Sequence, residues 1–240
     1  MHNQCGFKDK RITVMGLGLF GGGVGVACFL ANQGACVTVT DLKVATELAP
    51  SMKQLEGLPI SFKLGGHCES DFTDADMVII NPAVPRNSKF IQIAQNHGVP
   101  LNTEMNLFFQ FCPAPIIGIT GSNGKSTTTT LTARILEQTR RKTWMGGNIG
   151  KSLLNSLDEI KPDGIVVVEL SSFQLAELQS IKKSPHISVL TNLSPNHLDR
   201  HGDMDDYIHA KKGIIAHQTS SDYTILNYDD PELRRWEGEC

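Results

Sequence analysis

Residues 119–128, Ile119-Thr120-Gly121-Ser122-Asn123-Gly124-Lys125-Ser126-Thr127-Thr128, gather two glycines, a lysine and a run of hydroxyls behind an apolar segment. A glycine turn of this kind presents backbone N–H groups to phosphate oxygens. A lysine there neutralises β/γ-phosphate charge, and the hydroxyl after it can ligate Mg²⁺. Gly121, Ser122, Asn123, Gly124, Lys125, Ser126 and Thr127 are therefore the candidate ATP-phosphate loop. The pattern is not a strict G-x-x-x-x-G-K-[ST], because Ile119 stands where the first glycine belongs.

A second group of chemically able residues lies downstream. Glu169 closes the apolar run Gly164–Leu170, and the carboxyl end of a central strand is where open α/β sheets bind ligands. Ser171 and Ser172 follow without a G-x-S-x-G elbow, which argues against a serine nucleophile. His197 and His201 have H-x-x-x-H spacing, but Leu198 follows where H-E-x-x-H needs a glutamate. That favours a histidine near phosphate or Mg²⁺ over a zinc site. By spacing alone Lys211 reads as a solvated helix lysine.

The third group is Gly16-Leu17-Gly18-Leu19-Phe20-Gly21, with Asp41 following Gly21 by 20 residues. Between a strand and a helix this is the dinucleotide fingerprint, in which glycines let a phosphate approach helix amides and the acid accepts from a ribose. The motif does not distinguish NAD from another nucleotide.

These groups need strands that end beside them and helices that start there. Residues 11–15 and 35–40, the latter ending at Asp41, read as strands flanking a helix over 22–33, a βαβ unit with Gly34 as its C-terminal stop. Residues 76–81 form a further strand, and 89–97 and 104–111 two helices. Cys112-Pro113-Ala114-Pro115 ends the last of these and marks a boundary. The pattern then restarts, with strands at 116–120, 164–170, 186–191 and 223–227 and helices at 125–139 and 205–217. The expected fold is α/β: a Rossmann-like parallel-sheet domain over 1–112, then a P-loop ATP-binding α/β domain over 113–240.

Composition sets the outer limits. The 240 residues carry 22 Lys+Arg against 25 Asp+Glu, a net charge of −3, with 40% hydrophobic and 20% charged residues. This excludes a disordered acidic chain and offers no basic excess for nucleic acid. The short basic runs at 140–142, 182–183, 211–212 and 234–235 read as solvated faces. No segment approaches a membrane span, and the first residues lack the apolar core of a signal peptide. The six cysteines form no C-x-x-C pair; they read as reduced cysteines of a cytoplasmic protein, with Cys28 and Cys36 packed.

Taken in order, residues 119–127, Gly146-Gly147-Asn148-Ile149-Gly150, Glu169-Leu170-Ser171-Ser172-Phe173-Gln174-Leu175, His197-Leu198-Asp199-Arg200-His201 and Tyr207-Ile208-His209-Ala210-Lys211 resemble the Mur ligase family, and the 169–175 segment its D-glutamate-adding branch. The resemblance implies an ATP-dependent ligase of peptidoglycan synthesis. UDP-N-acetylmuramoyl-L-alanine would be activated as an acyl phosphate and captured by the amine of D-glutamate. Lys125, His197 and Lys211 would be catalytic. Ser126, Glu169, His197 and Lys211, the last as a carbamate, would surround Mg²⁺. Gly18, Leu19, Phe20, Asp41, Leu42, Lys43, Asn148, Ser171 and Gln174 would lie around the UDP-muramoyl substrate. Phe20 and Leu42 depart from the polar residues common at those positions, and Asn81-Pro82-Ala83 from the family's Ser-Pro-Gly. The family has a third domain, which holds D-glutamate and closes over ATP. The chain stops at Cys240, so the expectation is an incomplete central domain, no ligase domain, and no turnover by these residues alone. A monomer is expected, without nucleic-acid or membrane partners. Two alternatives stand beside this reading: a nucleotide-binding module without turnover, and an NAD-dependent oxidoreductase resting on Gly16–Asp41.

Overall fold

β1 (Arg11–Met15) and β6 (Ile116–Thr120) run into the two glycine turns, and each is the central strand of its own sheet. The computed structural model describes residues 6–19, 21–150, 152–195 and 202–239. The chain divides into two compact units, Met1–Phe111 with Leu154–Asp158, and Cys112–Leu153 with Glu159–Cys240. Nothing in the sequence announces that residues 154–158 group with the first unit. Phe20, His197 and His201 lie outside the described residues.

In the first unit β1 is followed by α1 (Gly22–Asn32), β2 (Cys36–Asp41), α2 (Ala45–Lys53), β3 (Ile60–Leu64), α3 (Ser70–Thr73), β4 (Met77–Ile80), α4 (Lys89–Asn96), β5 (Leu101–Asn102) and α5 (Glu104–Phe111). Among the described residues the sheet has the order β3-β2-β1-β4-β5, parallel throughout. The order reverses at β1, so the crevice at a doubly wound sheet's switch point opens beside the Gly16–Gly21 turn.

In the second unit β6 leads to α6 (Lys125–Leu136), β7 (Thr143–Gly147), β8 (Ile165–Glu169), α7 (Ser172–Leu178), β9 (Ile187–Leu190), α8 (Met204–Lys212), β10 (Tyr223–Leu226) and α9 (Pro231–Arg235). Its order is β10-β9-β6-β8-β7, again parallel among the described residues. Val166, Val167 and Val168 are fully buried, which is why β8 is apolar at consecutive positions instead of alternate ones. The parallel crossovers return every strand's carboxyl end to one edge. β6, β8 and β9 therefore deliver the Gly121–Gly124 loop, Glu169 and Thr191 side by side.

Several expectations need correction. Cys36 is exposed and Cys28 only half-buried. Cys36 opens β2 at the rim of a groove of about 750 Å³, and it is Val37 and Val39 that face the core. The helix expected over 205–217 ends at Lys212, and the one expected over 125–139 ends at Leu136. The edge strands β3, β5 and β7 and the helices α2, α3, α7 and α9 were not anticipated. Lys63 in β3 pairs with Asp71 of α3, so this strand carries charge on an open face.

Candidate active site

The Gly121–Gly124 loop stands between β6 and α6, and no side chain caps the start of α6. The first amides of a helix have no intrahelical acceptor, so they face the loop mouth as donors. Lys125 folds back and donates its Nζ to the carbonyls of Gly121 and Ser122, both at 2.9 Å. The lysine thus closes the loop on itself. Ser126 Oγ donates to Glu169 Oε2 at 2.7 Å. The other carboxylate oxygen accepts from Asn148 Nδ2 at 2.9 Å, and the Asn148 amide donates to the Glu169 carbonyl at 2.9 Å. Glu169 is fully buried.

Lys211 reaches this group from α8. Far from being a solvated lysine, it is 1% exposed. Its Nζ donates to Thr120 Oγ1 at 3.2 Å and to the Gly121 carbonyl at 3.0 Å. Burial, then the nearby Lys125 charge, lower its pKa from 10.5 to about 7, against an opposing pull from Glu169. One turn earlier on α8, Tyr207 places its ring 4.8 Å from the Lys211 Nζ and its hydroxyl 2.9 Å from Ser122 Oγ. Burial pushes the Tyr207 phenol above its ordinary range.

A strap of residues 191–194, just past β9, shapes the loop from the other side. The Ser122 amide donates to the Asn192 carbonyl at 2.9 Å. The Asn192 side chain accepts from the Asn123 amide at 2.9 Å and donates to the Asn123 carbonyl at 3.0 Å. Thr191 Oγ1 donates to that same carbonyl at 2.7 Å. Ser122 Oγ accepts from the Ser194 amide and donates to its carbonyl, each at 2.8 Å.

In the first unit the glycine turn is organised by Asp41, which is 8% exposed. Its Oδ2 accepts the amides of Leu17 at 2.9 Å and Gly18 at 3.1 Å, and its Oδ1 accepts the amide of Lys43 at 2.9 Å. The acid that the motif assigns to a ribose therefore holds the turn first. Leu19, Leu42 and Val44 are exposed apolar side chains on the loops after β1 and β2, an apolar rim of the kind a flat base can pack on.

The structure brings Gly121–Ser126, Glu169, Asn148 and Lys211 together. Ser171 and Gln174 instead form a reciprocal cap on α7: Ser171 Oγ accepts the Gln174 amide at 3.3 Å, and Gln174 Oε1 accepts the Ser171 amide at 2.9 Å. Thr120, Asn192 and Tyr207 are contributors that the sequence reading missed. Asn192 carried the same signal as Glu169, a polar residue just past a buried strand, and Tyr207 stands one helical turn before Lys211. Among the described residues no three His, Cys, Asp or Glu side chains cluster as a metal site. Ser126 and Glu169 nonetheless supply hard oxygen donors side by side. That donor set fits Mg²⁺, which takes one or two protein oxygens and fills its shell with water and phosphate. No helix among the described residues is long and apolar enough to cross a membrane.

Residues 119–240 match the Mur ligase middle domain, and residues 10–103 match the Mur ligase MurD-like N-terminal domain. A curated UDP-N-acetylmuramoylalanine–D-glutamate ligase from Roseiflexus sp. (strain RS-1) is 49% identical over 225 residues, 94% of this chain and 48% of its own length. The protein of the same name from Geobacter metallireducens is 43% identical over 224 residues, 93% of this chain and 49% of its own. The chain thus spans about half the length of the curated relatives it matches. Among solved structures, UDP-N-acetylmuramate:L-alanyl-gamma-D-glutamyl-meso-diaminopimelate ligase from Neisseria meningitides superposes with a TM-score of 0.68 at 19% identity, covering 97% of this chain and 75% of that one. That likeness speaks to the fold alone.

Proposed function

This chain belongs to the Mur ligase family, and on that premise we propose that it provides the UDP-substrate unit and the ATP unit of a ligase joining D-glutamate to UDP-N-acetylmuramoyl-L-alanine. The observation that carries the reading is the Ser126–Glu169 contact at the mouth of the Lys125 loop, with Lys211 buried behind it. Three features of a phosphoryl-transfer site meet there: amides and a lysine for phosphates, hard oxygens for Mg²⁺, and a buried amine of lowered basicity.

In this reading the alanine carboxylate of the UDP substrate takes the γ-phosphoryl group of ATP, with ADP as leaving group. The amine of D-glutamate then adds to the acyl carbon, inorganic phosphate departs, and the amide remains. The chain's own part is to hold the phosphates with the loop amides and Lys125 and to keep the reacting groups in line. Ser126 and Glu169 would hold Mg²⁺, whose chemistry is to offset phosphate charge. Lys211 has a basicity that leaves much of it neutral near pH 7. Its Nζ adds to CO₂ with loss of a proton, which turns a buried cation into an anionic oxygen donor. The apolar rim of Leu19, Leu42 and Val44, together with Lys43, receives the UDP portion in the first unit. An NAD-dependent oxidoreductase is not favoured, since the glycine turn falls within residues 10–103, matched by a Mur ligase N-terminal domain. The protein so described works as a cytoplasmic monomer on soluble substrates, without nucleic acid or membrane.

Two titrations and one rate test this. Lys125→Ala should abolish measurable ATP·Mg²⁺ binding. In a chain extended to the relatives' length it should lower turnover by about 10²–10³. UDP-N-acetylmuramoyl-L-alanine should bind, and NAD should not. Retained ATP affinity in Lys125→Ala, or tighter binding of NAD, would overturn the assignment.

A further inference from the structure

Asp230 belongs to no motif considered above, yet its carboxylate joins two elements. Oδ1 caps α9, accepting the amides of Glu232 at 3.0 Å and Leu233 at 3.1 Å. Oδ2 accepts the amide of Leu193 at 2.7 Å. Leu193 is the middle of the strap whose neighbours Thr191, Asn192 and Ser194 bind the backbone and hydroxyl of Ser122 and Asn123. Three residues before Asp230, Asn227 donates its Nδ2 to the Thr191 carbonyl at 2.9 Å. The strap is therefore gripped on one side by the phosphate loop and on the other by the turn after β10.

We propose that Asp230 is a positioning residue for the phosphate loop, fixing Leu193, through it Asn192, and through Asn192 the backbone of Ser122-Asn123. The inference rests on the reading of that loop as a nucleotide site. The physical argument lies in the geometry of the Asn192 amide. Its oxygen and nitrogen bind the N–H and C=O of the same residue, a two-point contact that tolerates little displacement of the strap. The strap itself lies past the last ladder residue of β9, Leu190, so the sheet does not hold it through to Leu193. A carboxylate is needed at position 230 because two separate acceptors are required, one for the helix cap and one for the strap. An asparagine caps a helix nearly as well, but it has only one oxygen.

The test uses the 240-residue chain, with ATP and Mg²⁺ as probe for calorimetry and amide hydrogen exchange as a ligand-free readout. Asp230→Asn should keep a near-native melting midpoint, since the cap survives, while ATP affinity falls about 3- to 10-fold. Exchange protection at the Ser122 and Asn123 amides should fall with it. Asn192→Ala should weaken ATP similarly, and adding Asp230→Asn to it should have little further effect, because both act through one strap. A wild-type affinity with unchanged protection in Asp230→Asn would overturn the inference, as would additive effects in the double variant. If Asp230→Asn does not fold, wild-type affinity in Asn192→Ala overturns it equally. Lys125→Ala separates the two levels of claim. Should it bind ATP like the wild type, the nucleotide reading fails; should only the Asp230 and Asn192 variants do so, the positioning role fails alone.

Discussion

The Gly16–Gly21 turn and the Gly121–Gly124 loop share one plan, a central strand running through glycines into an uncapped helix, but different groups hold them. In the first unit a carboxylate from the neighbouring strand, Asp41, occupies the amides of Leu17 and Gly18. In the second, neutral amide and hydroxyl groups of the strap hold the loop, and the nearby acid of β8, Glu169, is turned aside onto Ser126 and Asn148. Lys125 and Lys211 both lie against the Gly121 carbonyl. A turn that already carries an anion has less use for a diphosphate at those amides. A loop with Lys125 at its mouth and the buried amine of Lys211 behind it is suited to a triphosphate. The glycine pattern alone therefore cannot name the ligand, because what fills or faces the amides decides it.

The largest effect expected from this contrast is the pH dependence of Lys211, a buried cation with no counterpart among the residues holding the first turn. Its folded pKa of about 7 lies below the ordinary 10.5. Between those values the unfolded chain binds a proton that the folded chain does not, so stability should rise with pH across the window. At 1.36 kcal/mol per unit the upper bound is about 5 kcal/mol. Denaturant unfolding in CO₂-free buffer from pH 7 to pH 10 should show the rise, and Lys211→Met should remove it. Parallel curves for the two proteins would show that the amine is not buried as described.

A smaller effect separates the two glycine turns by their steric room. A Cβ at Gly121 would lie 1.9 Å from Thr191 Oγ1, with φ at +152°. At Gly18 the nearest atom is 3.6 Å away, with φ at +62°. Gly18→Ala should cost about 1 kcal/mol, the ordinary left-handed penalty. Gly121→Ala should cost about 3 kcal/mol or more and lower ATP affinity as well, because the strap must move. Equal losses in thermal unfolding would mean that the strap yields easily and does not shape the loop.

What the sequence disclosed follows from the range of each interaction. The central strands and both glycine turns were legible, since an apolar run, a glycine and a helix start lie within a few positions of one another. The edge strands β3 and β7 were not, because their neighbours on one side are solvent and their hydrophobic pattern is weak. At the site, Lys125, Ser126 and Glu169 could be picked from local context. Lys211 could not be told from a surface lysine without the family resemblance, since its burial is created by β6, 91 residues upstream in the contact with Thr120. Asn148 has its substrate role from the resemblance alone, and its bond to Glu169 joins residues 21 positions apart. Asp230 before Pro231 could signal only a helix start, because its bond to Leu193 connects segments that only the folded sheet brings together.

The smallest effect tests whether Asp41 is a clasp in its own right. Its carboxylate has three backbone amides as partners, two in the turn and one at Lys43. Asp41→Asn can keep its oxygen on the Leu17 and Gly18 amides and lose only Lys43, a cost of about 1 kcal/mol. Asp41→Ala loses all three, and amides near the crevice regain part of that through water, so about 2 kcal/mol is expected. Hydrogen exchange at Leu17 and Gly18 should follow the same order, with Asp41→Ala the more labile. All of this should be seen without any ligand. Were the acid only a ribose acceptor, both variants would unfold like the wild type and differ from it only on titration with the UDP substrate. A ligand-free stability ranking of wild type, Asp41→Asn and Asp41→Ala therefore separates a turn held by its own acid from one that awaits its ligand.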